Sequence, residues 1–407
     1  MITRIEIEGF KSLKKVALDL GPFNLFIGTN ASGKSNFFDA LRVLQGIGNG
    51  FTVDEIFNGK PRSATSAEWA GIRGGSAKAA FAAIGKTDLA RKSTSVSFAV
   101  DMRHELGSKA KYEIEFDLNH GTVENDRFTD GERNVFVSGG RRFARQTRGI
   151  RYFPGAPRDE KGYQVLGSVP SLAQMAKSDP PMRTEHATAV QSTLLAFANM
   201  QQLSPSVGLL RSYAQTHAVR RMGEHGEDFA GIVKAIIAGK KTRSSYLSWL
   251  RELTPIDLDD VAVLPGALKE PMFAVKKKGV VYPAPILSDG TLRFAAITAA
   301  FFQPTMPGLI AIEEIENGLH PTRIRLLVEL LKSQSGRKTQ VFATTHSPLV
   351  VAWLNETDYE HVFFCRRNPR SGASIITPLS ELPHFVEAAR TNSVADMIVE
   401  GWLETAE

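Results

Sequence analysis

An α/β fold with a parallel-sheet core, a lobe of mixed sheet and a mainly helical insert is what this sequence predicts. Three observations carry that prediction. The mostly apolar strand Phe23–Ile27 runs into a glycine-containing loop and then into the helical pattern NFFDALRVLQ. Leu309, Ile310, Ala311 and Ile312 are apolar at successive positions, as in a strand buried on both faces of a parallel sheet. Between that run and the strand-like Gln340–Thr345 lies a helix opened by Pro321, with Ile324, Leu327, Val328 and Leu331 at i, i+3, i+4, i+7 spacing.

The other elements follow in chain order. Ile5 and Ile7 alternate with charged residues, and Val16, Leu18 and Leu20 recur at every second position, so the chain opens on two strands. TSVSFAVDM, KYEIEFDL and NVFVS, within 94–137, read as strands again. A basic, poorly apolar stretch follows, GGRRFARQTRGIR (139–151), and then a loop rich in proline and glycine. Residues 171–252 read as mainly helical, most clearly in SLAQMA, TAVQSTLLAFANM and FAGIVKAIIAG, without the sustained heptads of a long coiled coil. Residues 259–286 read as strands, and the remainder alternates helix with strand. The expected domains are an N-terminal lobe (1–150), a mainly helical insert (151–255) and a C-terminal lobe (256–407).

A hydrophobic fraction of 43% and a charged fraction of 23% are ordinary for a soluble globular chain of this size. The net charge of +6 permits an anionic partner such as nucleic acid but does not require one. Cys365, the only cysteine, excludes an internal disulfide framework and a multi-cysteine zinc site, and suits a reducing compartment. The N-terminus enters a strand pattern directly, without a signal-peptide pattern, and the most apolar stretch, FAAITAAFF (294–302), is too short to span a bilayer. The expectation is a cytoplasmic protein with no membrane partner.

Residues 28–35, GTNASGKS, fit G-x-x-x-x-G-K-[ST] between a strand and a helix, the context that a phosphate-binding P-loop needs. Gly28 and Gly33 let the backbone of Asn30, Ala31 and Ser32 wrap closely around phosphate oxygens at a helix N-terminus. Lys34 would reach the β- and γ-phosphates and Ser35 would ligate Mg²⁺. The pattern predicts a site for ATP-Mg²⁺.

That changes the meaning of Glu313 and Glu314, which follow the apolar run directly. Alone, they read as an acidic loop surfacing after a buried strand. In a P-loop protein a carboxylate at the end of a neighbouring strand holds the Mg²⁺ and its water shell, and Glu313 stands where an aspartate is usual. Glu314 would be the base that polarises the attacking water. LSDGTLR (287–293) opens a further helix, where Ser288 and Gly290 can present a hydroxyl and backbone N–H groups to phosphate. VFATTHSP (341–348) places His346 just past a strand. A right-handed parallel βαβ unit would then bring Glu314 and His346 to one edge of the sheet.

These motifs, in this order, resemble the SMC/RecF/OLD branch of the ABC ATPases, and the resemblance covers both ends of the chain. GFKSL (9–13) and Asn36 after the P-loop serine are typical of the branch. SDGTLR, EEIENGLHP and TTHSP resemble the AAA-type ATPases related to the OLD proteins, a group that includes subunits of phage-defence systems such as Gabija, Septu and PARIS. The resemblance implies an ABC-type ATPase head in which Ser288 and Gly290 of one subunit cap the γ-phosphate on another subunit's P-loop. It implies further that His346 contacts that phosphate, that Lys11 and Asn30 touch nucleotide, and that Asn317, Gly318 and His320 line the dimer seam. GIRGG (71–75) sits where the group often has an arginine-containing element, and no glutamine is secure in the Q-loop role.

The chain also departs from its relatives. The separation of Ser35 from Ser288 is too long for a transporter ATPase, and the stretch after His346 is too short for the TOPRIM nuclease domain of OLD proteins. DLDD (257–260) reads as a solvated turn, and no HNH, paired-histidine zinc or Ser-His-Asp pattern is found, so any nuclease or toxin activity is expected in a partner. Basic segments at 141–151, 239–243 and 276–278 would line a DNA-binding surface, or simply be solvated faces. The function expected is a homodimeric or higher-order ATPase that controls an effector in phage defence; the alternative is a RecF- or SMC-like DNA repair ATPase.

Overall fold

The structure, a computed structural model, describes residues 1–63, 66–82, 95–104, 107–144, 147–154, 160–177, 183–216, 218–253 and 258–405. The chain opens with β1 (Ile2–Phe10), β2 (Leu13–Asp19) and β3 (Phe23–Ile27), then α1 (Lys34–Gly48), α2 (Val53–Asn58), β4 (Lys60–Ser63) and β5 (Ser66–Trp69). Next come β6 (Ser95–Arg103), β7 (Lys109–Asp117), β8 (Thr122–Asp130), β9 (Arg133–Ala144), β10 (Thr147–Tyr152) and β11 (Lys161–Leu166). The middle of the chain holds α3 (Ser171–Lys177), α4 (Thr184–Ala198), β12 (Met200–Leu203), α5 (Val207–Leu210), α6 (Phe229–Ala238) and α7 (Lys240–Leu253). It continues through β13 (Leu258–Pro265), β14 (Pro271–Lys277), β15 (Val280–Pro283), α8 (Asp289–Ala300) and β16 (Leu309–Ile312). The last elements used below are α9 (Pro321–Gln334), β17 (Gln340–Thr345), α10 (Pro348–Val351), β18 (Val362–Arg367) and β19 (Ser374–Pro378).

The chain packs as two compact units that interleave in sequence. One comprises Met1–Gly21, Gly28–Met200 and Phe364–Thr377; the other comprises Pro22–Ile27, Gln201–Phe363 and Pro378–Glu407. In the first unit an eight-stranded sheet runs β11-β10-β9-β8-β7-β6-β1-β2, antiparallel at each pairing. The expected α/β fold is present, with this sheet antiparallel rather than mixed. Burial alternates with period two along β6 and β7, so one face of this sheet is covered. Phe10, Phe98, Phe116 and Phe57 form a chain of edge-to-face ring contacts, and Phe37, Phe38 and Leu41 of α1 are buried.

In the second unit β16, β17 and β3 run parallel and adjacent. Every residue of these three strands is buried, as in strands covered on both faces, and β16 is apolar throughout. Phe26 stacks between Phe342 and Phe363 across three strands. The predicted βαβ unit is β16–α9–β17, with Ile324, Leu327, Val328 and Leu331 buried on α9 as their spacing predicts.

Three features differ from the sequence-based expectation. Of the basic stretch, 139–144 lie in β9 and 147–151 in β10, where Arg148 is buried on the same face as Ile150 and Tyr152 and pairs with Asp126 at 3.0 Å, while Arg151 is exposed; the side chains of 139–146 lie outside the described residues. The region expected to be mainly helical also contains β11 and β12; β12 was masked by its polar MQQL sequence, yet it lies beside β16 in the parallel sheet. DLDD is no solvated turn. Leu258–Asp260 begin β13, Asp260 pairs with Arg243, and Asp259 accepts the Gly279 N–H at 2.9 Å; Asp257 and the strand-predicted Thr94 lie outside the described residues. Among the described residues no helix is long and apolar enough to cross a membrane.

Candidate active site

The P-loop follows β3 without a break, and its backbone has the shape that the motif requires. Gly28 and Gly33 have φ of 143° and 111°, and Ala31 is left-handed at 63°. A Cβ on Gly28 would lie 2.2 Å from the Cys365 carbonyl, and one on Gly33 would lie 2.0 Å from Ser374 Oγ, so neither position accepts a side chain. Gly33 caps α1 without a side-chain bond, its carbonyl accepting the N–H groups of Asn36 at 3.0 Å and Phe37 at 3.1 Å. Asn30 and Ala31 are exposed and Ser32 is buried. Lys34 is buried and folds back over the loop, its ammonium donating to the carbonyls of Gly28 at 2.6 Å and Thr29 at 2.8 Å. Ser35 is exposed on the first turn of α1.

A buried hydroxyl relay fixes the loop from beneath. Asn36 Nδ2 donates to Ser12 Oγ at 2.6 Å, Ser12 and Ser374 share a 2.6 Å bond, and Ser374 Oγ donates to the Ser32 carbonyl at 2.7 Å. Ser12 belongs to the GFKSL stretch, so that stretch helps to hold the P-loop. Ser374, on β19, carries no sequence signal of its own.

Lys11 lies against α1. Its ammonium is committed to Asp39 of α1 and to the Arg73 carbonyl, and burial pulls its pKa below the ordinary lysine value while Asp39 opposes that fall. Arg73, from GIRGG, bonds both oxygens of Asp39 at 3.1 and 3.2 Å and donates to the Ser35 carbonyl at 2.5 Å. Lys11, Asp39 and Arg73 thus clamp the first turns of α1. Asp39 was invisible to motif reading, because a carboxylate inside a helical stripe looks like an ordinary surface residue.

In the second unit, β16 and β17 bring the acidic motif and the histidine together as predicted. Glu313 follows β16 directly and its N–H donates to the Leu203 carbonyl at 3.3 Å. Glu314 has a left-handed φ of 50°, and its N–H donates to Thr344 Oγ1 at 2.9 Å. His346 Nε2 stands 3.7 Å from Glu314 Oε1. Asn317 Nδ2 reaches Glu314 Oε2 at 3.4 Å, and His320 caps α9 by accepting the Thr322 N–H. The neighbouring strands are in register with Thr345 opposite Ile27, the last residue before the P-loop.

Ser288 caps α8, accepting the Thr291 N–H through its hydroxyl. A Cβ on Gly290 would lie 2.5 Å from the Gly318 carbonyl, so the start of α8 and the ENGLHP loop touch backbone to backbone. Arg211, after α5, braces this start by pairing with Asp289 at 2.7 Å and donating to the Leu287 carbonyl at 3.0 Å.

Comparison with known proteins bears on both halves. Residues 1–127 match the family described as "AAA ATPase domain", and residues 251–352 match "AAA domain, putative AbiEii toxin, Type IV TA system". The first match contains the P-loop, Lys11 and Arg73; the second contains Ser288, both glutamates and His346. An "ATP/GTP phosphatase" of Helicobacter pylori is 22% identical over 387 residues, covering 89% of this chain and 90% of that protein. The DNA replication and repair protein RecF of Acinetobacter baylyi is 50% identical over 44 residues, 11% of this chain and 12% of that protein. Among solved structures, the SMC head domain from Thermotoga maritima aligns at 13% identity and a TM-score of 0.44, covering 93% of this chain and 98% of that one. An Smc head bound to the C-winged helix domain of ScpA aligns at 15% identity and a TM-score of 0.48, covering 92% and 96%. The P-loop, the strand-end glutamates and the two AAA-domain matches together make this chain a P-loop ATPase.

Proposed function

We propose that this chain hydrolyses ATP as a head that dimerises around ATP-Mg²⁺, and that it serves as the sensor or motor subunit of a cytoplasmic anti-phage complex controlling a separate nuclease or toxin. The observation that carries the hydrolytic part is the placement of Glu314 beside His346 at the ends of adjacent parallel strands, in register with the strand that feeds the P-loop. Glu314 would polarise the attacking water and His346 would meet the γ-phosphate. Lys34 would turn from the loop carbonyls to the phosphates, with Gly28, Asn30, Ala31, Ser32, Gly33 and Asn36 shaping the cradle.

Ser35 and Glu313 offer hard oxygen donors, the chemistry that suits Mg²⁺, which takes one or two protein ligands alongside nucleotide phosphates. Among the described residues no cluster of three or more histidine, cysteine or acidic side chains forms a dedicated metal cage. When bound, the ion would neutralise charge on the phosphates.

Ser288 and Gly290 would complete the site of a second copy, which is the reason for proposing a dimer. The family match over 251–352, whose description names a toxin–antitoxin system, supports a defence role. The 44-residue similarity to a RecF protein favours the second reading, a DNA repair ATPase with DNA as its partner. Cells carrying this gene with its neighbours, in wild-type and Glu314→Gln form, would be challenged with a phage panel and with a DNA-damaging agent. Protection from phage that the variant loses supports defence; sensitivity to damage alone, with unchanged phage growth, supports repair.

A further inference from the structure

Glu316 lies two residues beyond Glu314, in the loop between β16 and α9. Its Oε1 accepts the backbone N–H of His346 at 2.7 Å. Its Oε2 is shielded from solvent and makes no hydrogen bond. A carboxylate oxygen kept out of water without a partner lowers stability, so this side chain is a poor choice for simply holding the fold together.

Two further bonds join the loop to the end of β17. Glu314 N–H donates to Thr344 Oγ1 at 2.9 Å and Ile315 N–H donates to the Thr344 carbonyl at 3.1 Å. Both stop before the histidine. The Glu316 bond reaches the histidine's own peptide, where the chain leaves the strand. At 3.7 Å, Glu314 does not hold the imidazole by a direct hydrogen bond.

We propose that Glu316 is the positioning residue for His346: by fixing its peptide, it sets the ring at working distance from Glu314. This rests on the reading that Glu314 and His346 serve hydrolysis. The role needs an acceptor at the reach of a glutamate side chain and does not need its charge. Glu316→Gln keeps that acceptor, whereas Glu316→Asp keeps the charge and falls one methylene short.

The test is ATP turnover and nucleotide affinity of the full chain. Glu316→Gln should stay within about threefold of wild-type kcat, while Glu316→Ala and Glu316→Asp should lose about tenfold or more at unchanged affinity. In a His346→Ala background, Glu316→Ala should cost nothing further, because it acts through the histidine. Wild-type kcat in Glu316→Ala, or losses that multiply in the double variant, would overturn the proposal. Should Glu316→Ala fail to fold, the Gln and Asp variants decide, and an aspartate variant as fast as wild type overturns it. Failure of the underlying reading shows separately, as wild-type turnover in both Glu314→Gln and His346→Ala.

Discussion

Glu314 Oε1 lies 3.7 Å from Nε2 of His346, each residue just beyond the end of one of two adjacent parallel strands. Glu314 reaches this place with a left-handed backbone that costs roughly 1 kcal/mol in a residue with a Cβ. The bond to Thr344 Oγ1 holds it there. Glu314→Gln keeps the bulk and the backbone but removes the base. Phosphate release should fall by about 10²–10⁴-fold with nucleotide affinity nearly unchanged. A variant that turns over at the wild-type rate would remove Glu314 from the chemistry.

Asp39 is almost wholly buried and faces Lys11, whose side chain is only 8% exposed. Removing one partner of a buried pair leaves the other charge uncompensated. Asp39→Ala should therefore lose about 3 kcal/mol in urea unfolding. It should also loosen the Arg73 bond to the Ser35 carbonyl, so nucleotide affinity falls together with stability.

Gly290→Ala tests the contact between the start of α8 and the ENGLHP loop. The added methyl would sit 2.5 Å from the Gly318 carbonyl, and backbone gives way at greater cost than a flexible side chain. Turnover should drop about tenfold while nucleotide affinity, set by the P-loop, stays unchanged. Wild-type turnover would show that the two backbones need not touch for hydrolysis.

Complete burial pushes the Cys365 thiol from its ordinary 9.0 up to about 12. Between those values the unfolded chain loses a proton that the folded chain keeps. The stability linked to this thiol is therefore fully present below pH 9 and declines as pH rises toward 12. At pH 10 the loss should be about 1 kcal/mol. Urea midpoints at pH 8 and pH 10 should separate less in Cys365→Ala than in wild type. The native thiol should also resist alkylation at pH 8.

Much of the site was legible because its chemistry is local in sequence. A P-loop needs its glycines and lysine at fixed spacing, and the strand that delivers Glu314 announces itself by an unbroken apolar run. What escaped is held by residues distant in the chain. Ser374 meets Ser32 through a long-range hydroxyl bond, and Asp39 pairs with Lys11 from within a helix. β12 joined the parallel sheet despite two glutamines, because Gln201 finds buried partners in the Met222 carbonyl and Gln303. The bond of Lys11 to Asp39 shows only in its three-dimensional neighbours. Glu316 stands in the EEIENGLHP motif, but its bond is to the His346 peptide, thirty residues on.

The most direct test is the mass of the full chain in solution, with and without ATP-Mg²⁺, for wild type and Glu314→Gln, alongside ATP turnover. A composite site formed by two copies predicts that ATP drives at least a dimer, and that the dimer persists longer in the variant because hydrolysis no longer releases it. Mass and turnover that are the same in both proteins would contradict it, and would return Glu313 and Glu314 to an acidic loop after a buried strand.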